Sequence, residues 1–304
     1  MIVTDPDEFL AEYSEHRYPA RAAATARAAF LVSPASATLA AQSAQDNRYM
    51  DLAQAIDPAR ALAQHVELAR RLDADVPVVS FPGDANCPDD MFPNNVFATA
   101  NGCLIIGRMR HEVRRREAVR ADIRRFFRDT LGYRVLDLST ETFVAELTGA
   151  LVIDRARGIG YCGLSERCDL EGARAMHEAF GLRLMFCFDL AAGEYHANVI
   201  LALLAGRVAL IAADGFKDPA VPHAIAKAFG RNVVWLSREQ KKAFSANAIT
   251  LAPQRAWLSA RGADALDSAQ RTAIERAGLA LATVELDEIE KAGGSLRCCV
   301  AEIF

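Results

Sequence analysis

"ANVILALLAGRVALIAADGF", residues 197–216, is the most apolar passage of this 304-residue chain, and its reading decides the fold. As one helix it would approach a membrane span; as two strands it would be a hairpin. Gly206 and Arg207 interrupt it near the middle, short of the roughly 18 unbroken apolar residues that a span needs. A glycine-containing turn between two runs rich in Val, Ile and Leu reads instead as strand, turn, strand.

The same opening recurs on either side. "NNVFATANGCLIIG" from Asn94, "LTGALVIDRARGIGYCG" from Leu147, "ANAITLAPQRAWLSA" from Ala246 and "GGSLRCCVAEIF" from Gly293 begin in a similar way, at intervals of about 50 residues, which marks a structural repeat. After each hairpin the apolar period changes to that of a helix, as in "SERCDLEGARAMHEAFG", "DPAVPHAIAKAFG" and "DALDSAQRTAIERAG". In "EVRRREAVRADIRRFFRDTLG" the apolar residues Val113, Ile123, Phe126, Phe127 and Leu131 fall at helical spacing, and the charged face reads as solvated. A short apolar strand follows each helix: "YRVLDLS", "RLMFCFDL", "NVVWLS", "LATVELD".

The predicted fold is therefore α/β, with hairpin, helix and strand forming a ββαβ unit. The ends complete one another. "RAAFLVSP", the helix "DPARALAQHVELARRLDA" and the strand "VPVVSF" lack a hairpin arm that "SLRCCVAEIF" supplies, giving a fivefold ring without exposed edges. Residues 1–304 are read as a single domain whose first 25 or so residues form a helical or irregular extension.

A ring of such units brings the hairpin openings to one axis. Asn94, Asn95, Glu146, His196, Asn247 and Cys298 are then predicted to meet. Cys298 and Cys299 read as neighbours on a strand, and strand alternation sends only one of them towards that axis. Cysteine, histidine and a carboxylate are the parts of nucleophilic catalysis. Their order and spacing do not match the papain-like or caspase-like signatures. Asp89 and Asp90, before "MFPNN", point to a planar nitrogen-rich substrate group, because carboxylates accept paired N–H bonds from a guanidinium.

Composition narrows the remaining classes. With 52% hydrophobic and 24% charged residues the chain is a folding one, and a net charge of −4 with pI near 5.9 offers no basic footprint for nucleic acid. Small molecules are the expected partners, with neither nucleic acid nor membrane; a homo-oligomer is left open. The amino-terminal stretch has early acidic residues and no apolar run of the secretory kind. Seven cysteines without CxxC or zinc spacing fit a reduced, cytoplasmic setting and give no metal site.

The ordered motifs "DDMFPNN", "AELTGALVI", "EYHANVILA" and "KAGGSLRCCVAEI", over about residues 25 to 304, resemble the guanidine-modifying superfamily of fivefold α/β propellers, the penteins. Its members include arginine deiminases, dimethylarginine dimethylaminohydrolases and amidinotransferases. The set is most similar to small bacterial amidinotransferase-like, citrulline-using hydrolases. The resemblance implies that Cys298 is the nucleophile, His196 the general acid and base, and Glu146 the carboxylate binding substrate nitrogens beside the histidine. It puts Asp89 at a substrate-binding position and Arg108 and Arg167 where a substrate carboxylate could be met. No metal or organic cofactor is implied.

Two departures stand out. Asn94 and Asn95 replace a carboxylate of the deiminases and dimethylarginine enzymes, and "ELTG" removes another acid near Gly149. An amide donates as well as accepts, which suits a ureido carbonyl such as that of citrulline. The expected activity is hydrolysis of a C–N bond in the guanidino or ureido group of arginine, citrulline or a derivative. An amidinotransferase, a dimethylarginine hydrolase and a non-catalytic propeller that binds a partner are the alternatives.

Overall fold

The computed structural model describes residues 1–35 and 38–304. Five small sheets carry the fold, and each repeats one order: a first strand antiparallel to a second, and a third parallel to the second. The apolar passage 197–216 is such a hairpin. Leu201–Leu204 pairs with Val208–Ile211 across a turn in which Ala205 and Gly206 take positive φ (49° and 63°), and Val233–Trp235 completes the sheet.

The equivalent triplets are Phe97–Ala100, Cys103–Ile106 and Arg134–Asp137; Leu151–Asp154, Ile159–Leu164 and Leu184–Asp189; and Ile249–Ala252, Arg255–Ser259 and Ala280–Val284. The fifth sheet joins the two ends of the chain. Ala301–Ile303 runs antiparallel to Ala28–Val32, which pairs in parallel with Val78–Phe81.

Helices cover the sheets where the period predicts them. In Pro58–Leu72, Ala61, Gln64, His65, Leu68 and Leu72 form the buried stripe, and Asp57 caps the first turn through Ala59 N and Arg60 N. Leu170–Phe180 ends on Gly181 in the left-handed region (φ 62°), where a side chain would be strained.

Two expectations need correction. Residues 112–130 do not form one helix. They break into Glu112–Arg115, a 3-10 turn at Glu117–Val119, Ala121–Arg125 and a π-helical turn at Phe126–Thr130. Nor is the charged face wholly solvated: Arg114 is buried and grips Glu117 with two bonds of 2.8 and 2.7 Å while donating to the carbonyls of Asp89 and Phe92. That inward arginine explains the break, because the chain there follows a buried ion pair rather than an apolar stripe.

The first 25 or so residues include the helix Pro6–His16 and add contacts to the sheets. Ile2–Val3 adds a parallel strand beside Leu184–Asp189, and Pro6–His16 packs on the helix Ala220–Phe229, with Phe9 stacked 4.6 Å from Phe186.

Finally, the cysteine pair is not on a strand. Leu296–Cys299 is one helical turn, and the strand begins at Ala301. The same holds at other hairpin openings, where Pro93–Asn95, Leu147–Ala150 and Ala197–Val199 are single turns.

Candidate active site

These opening turns are linked one to the next. Thr148 Oγ1 donates to Asn94 O (3.0 Å), Asn198 Nδ2 to Thr148 O (3.2 Å), Asn247 Nδ2 to Asn198 O (3.0 Å), and Arg297 N to Asn247 O (3.3 Å). The turn at Leu296–Cys299 also contacts that at Pro93–Asn95. Each turn spends its donors on the previous one, so side chains remote in sequence are held together with little exposed backbone.

Cys298 lies on the last turn, with 1% of its surface exposed. Its sulfur receives Asn247 Nδ2 at 3.3 Å and lies 3.7 Å from Asn198 Nδ2. Its own N–H donates to Ser295 O (3.0 Å) and to Asn247 Oδ1 (3.3 Å). Burial pushes the thiol up, against the Ser295 backbone, Asn247, Arg297 and Asn198, which favour the thiolate.

Cys299 is equally buried but its sulfur has no asparagine donor among the described residues, and burial raises its thiol more strongly.

His196 and Glu146 are both fully buried, with Nε2 to Oε2 at 2.8 Å. Glu146 Oε2 also accepts from an Arg167 terminal nitrogen (3.1 Å), and Oε1 from Arg110 N (3.0 Å). Burial opposes ionisation of Glu146, yet Arg167, His196 and Arg114 outweigh it and hold the carboxyl well below its usual range. Burial lowers His196, and Glu146 pulls it back only in part. With Nε2 engaged, Nδ1 is the free ring nitrogen: it has no partner among the described residues.

Gly149 explains how the ring fits. A methyl on its Cα would sit 2.6 Å from Asn95 Oδ1, 2.7 Å from His196 Cε1 and 2.8 Å from Nδ1. Only a residue without Cβ lets the imidazole and the Asn95 amide approach this backbone.

Cys298 and Asn95 line a cavity of ≈ 20 Å³ with Asp89, Arg167, Arg114 and Tyr195. That holds about one water. Segment 43–50 closes it through Ser43, Asn47 and Met50. Asp89 Oδ2 accepts from Ser43 Oγ, whereas Asp89 Oδ1 and Asn95 Oδ1 have no partner among the described residues. Burial pushes Asp89 up, opposed by Arg114, Ser43 and Arg167.

Asn94 is less central than its sequence position implies. Its main-chain oxygen serves Thr148, its side chain is buried without a partner among the described residues, and it does not line the cavity.

The two arginines separate. Arg167, 2% exposed, binds Glu146, Asp46 (Nε to Oδ1, 2.9 Å) and Ser43 O, with its guanidinium 5.5 Å from the Tyr195 ring centre. Arg108 is not in the cavity. Its side chain runs to Glu141 O (2.7 Å), while its backbone pairs with Ala145 and so fixes the start of the Glu146 turn.

Asn198, Tyr195, Arg114 and Ser43 are site residues that the sequence reading missed. For Asn198 a signal existed: "ANVI" and "ANAI" place Asn198 and Asn247 at the same repeat position. Segment 43–50 carries no such pattern. Among the described residues no cluster of three or more His, Cys, Asp or Glu side chains is placed to hold a metal, and no helix is long and apolar enough to cross a membrane.

A mixed α/β fold of this order is that of the guanidine-modifying enzymes. The family model described as N,N dimethylarginine dimethylhydrolase, eukaryotic, matches residues 33–304, and the chain belongs to that family, whose enzymes hydrolyse C–N bonds in guanidino compounds. No curated protein sequence gives a significant match.

Among solved structures, the substrate-bound N-terminal domain of ArgZ, an arginine dihydrolase from the ornithine-ammonia cycle in cyanobacteria, superposes with a TM-score of 0.78 at 17% identity, over 91% of this chain and 97% of that one. The whole ArgZ chain gives 0.79 at 17% identity, over 91% of this chain and 40% of its own. A dimethylarginine dimethylaminohydrolase adduct with S-methyl-L-thiocitrulline gives 0.70 at 23% identity, over 91% and 100%. At these identities the likeness is one of fold.

Proposed function

We propose that the protein is a cysteine-dependent hydrolase of the guanidino or ureido group of an arginine-like or citrulline-like substrate, built as a single fivefold pseudosymmetric α/β propeller. The turn-to-turn hydrogen bonds running through Asn94, Thr148, Asn198, Asn247 and Arg297 support the closed arrangement. One observation carries the functional reading. The Cys298 sulfur, held by two asparagines, borders a buried cavity whose unpartnered acceptors, Asp89 Oδ1 and Asn95 Oδ1, match the N–H donors of a planar nitrogen group.

In this reading the Cys298 thiol passes its proton to His196 Nδ1, and the resulting thiolate attacks the central carbon, forming a C–S bond. His196, oriented by Glu146 at Nε2, delivers a proton through Nδ1 to the departing nitrogen as the C–N bond breaks. Water, deprotonated by the same ring, attacks the S-linked carbon, and the C–S bond breaks to release the Cys298 thiolate, which recovers its proton from His196. A guanidino substrate then yields a ureido product and ammonia or an amine. Asn198 and Asn247 stabilise the thiolate that leaves.

Asn95 favours a second round. Asp89 supplies one negative charge for a guanidinium, and the neutral amide tolerates a ureido group, so the first product remains a substrate. The test is incubation with arginine, citrulline and methylated or acylated arginines, measuring ammonia and ureido product. Ammonia from citrulline, without ureido accumulation from arginine, is expected. Activity confined to methylarginines overturns the second round, and no turnover of any of these compounds overturns the hydrolase reading.

A further inference from the structure

A chain of net charge −4 gathers five arginines around one groove. The groove measures ≈ 520 Å³ and is lined by Arg21, Arg27, Arg155, Arg157 and Arg183, with no aspartate or glutamate among its described lining residues. Such a volume lies within the usual range for small-molecule sites, roughly 300–1,000 Å³.

It lies away from Cys298. Asn94 and Asn95 precede the strand Phe97–Ala100, whereas Asn101 and Gly102, which line the groove, follow it. Likewise Glu146 precedes the hairpin of Leu151–Asp154, and residues 155–158 form its turn. The groove therefore occupies the hairpin-turn end of these strands, opposite the opening turns.

The arginines are short of partners. Arg157 pairs with Asp154 (2.6 Å), but Arg21, Arg27, Arg155 and Arg183 have no carboxylate within ion-pair distance among the described residues. Arg27 donates to the Tyr133 hydroxyl, which itself donates to the main-chain oxygen of Phe304 (2.6 Å). Arg183 donates to the carbonyls of Pro19 and Arg157 (both 3.2 Å).

Arg155 is held by aromatic rings instead, 4.1 Å from the Phe304 ring centre and 5.1 Å from that of Phe180, with one bond to Thr99 O (3.3 Å). Burial disfavours its charge, Glu302 compensates only partly, and Arg297 adds repulsion. A buried guanidinium that is only partly compensated, beside three others with no ion-pair partner among the described residues, is a setting that a bound anion stabilises.

We propose that this groove binds a multivalent phosphate anion: two or more linked phosphoryl groups, as in pyrophosphate or the phosphate tail of a nucleotide. Planar guanidinium forks from several directions match adjacent phosphoryl oxygens better than they match one small carboxylate. The assignment is independent of the reaction at Cys298.

Titration calorimetry with pyrophosphate, ATP and adenosine, at fixed ionic strength, tests it. Pyrophosphate and ATP are expected to bind saturably in the sub-millimolar range and adenosine not at all. If ATP alone binds, with adenosine, the phosphate assignment fails.

Arg21→Glu is the first variant, because the Arg21 side chain is exposed and makes no bond among the described residues, so folding is undisturbed. It is expected to weaken pyrophosphate at least tenfold while leaving ammonia release from the preferred substrate unchanged. Arg155→Gln, checked by its melting curve, is expected to do the same. Absence of saturable pyrophosphate binding by the wild type overturns the proposal, as does affinity unaffected by both variants.

Discussion

Glu146 Oε2 lies between two donors, 2.8 Å from His196 Nε2 and 3.1 Å from an Arg167 nitrogen, with all three side chains buried. This carboxylate does two things: it fixes which histidine nitrogen is free, and it neutralises a buried guanidinium. Glu146→Gln removes both. Activity is expected to fall by about 10²–10⁴, the range usually supplied by a positioned acid-base group. Stability should fall by about 3–5 kcal/mol, because Arg167 loses one counter-charge inside the fold. Steady-state rates and urea unfolding measure the two losses.

The linkage has a definite sign. The Glu146 carboxyl is depressed in the fold, so its contribution to stability is present above the unfolded carboxylate value of about 4.3 and is lost as pH falls through the folded value. The wild type minus Glu146→Gln difference in unfolding free energy should therefore be constant from pH 6 to 8 and shrink in acid. A difference that grew on acidification would contradict the ion-pair assignment.

Gly149 sets the clearance between Asn95 and His196. Gly149→Ala forces a carbon within 2.8 Å of both side chains, and at least one must move. A misplacement of about 1 Å near the reacting atoms costs on the order of 10²-fold, so kcat is expected to drop by that much with only a small change in melting temperature. Full activity in this variant would remove His196 from its assigned place.

Asn95→Asp restores a second carboxylate beside Asp89. Two negative charges favour a guanidinium and repel a ureido oxygen. The ratio of kcat/KM for arginine over citrulline is expected to rise at least tenfold, an effect of about 1.4 kcal/mol. An unchanged ratio would mean that the amide does not contact the substrate.

Cys298 is raised above the ordinary cysteine value of 9.0, and His196 is lowered, so the unliganded pair rests as thiol and neutral imidazole. Alkylation of Cys298 by iodoacetamide is expected to keep accelerating beyond pH 9 and to outpace Cys299 throughout, because the latter lacks the asparagine donors. Peptide mapping of the alkylated protein distinguishes the two sites.

Much of this architecture is legible in the sequence because the repeat restates it. Gly206 and Arg207 split one apolar passage into a hairpin, and the same opening recurs at turns that pair Glu146 with His196 and Asn247 with Cys298. What escapes are features set by tertiary contacts. "LRCCVAEIF" is mostly apolar, and periodicity alone cannot separate a strand from a buried helical turn in so short a run. The turn exists because Cys298 N and Cys299 N both donate to Ser295 O, and Arg297 N to Asn247 O. The arginine-rich passage misleads for the opposite reason. Charge there signals solvent, yet Arg114 turns inward to Glu117 and to the carbonyls of Asp89 and Phe92. Segment 43–50 has no periodic signal, so its closure over the cavity emerges only from the fold.

The central claim is that the Cys298 sulfur forms and breaks the bond to the substrate carbon. Ammonia release by Cys298→Ala, measured on whichever guanidino or ureido compound the wild type turns over fastest, tests it most directly, with melting curves to establish that the fold is retained. A loss of at least about 10³-fold is expected, as removal of a nucleophile from a working unit produces, with an unchanged melting temperature. Turnover within tenfold of the wild type, in a protein that melts normally, would contradict it.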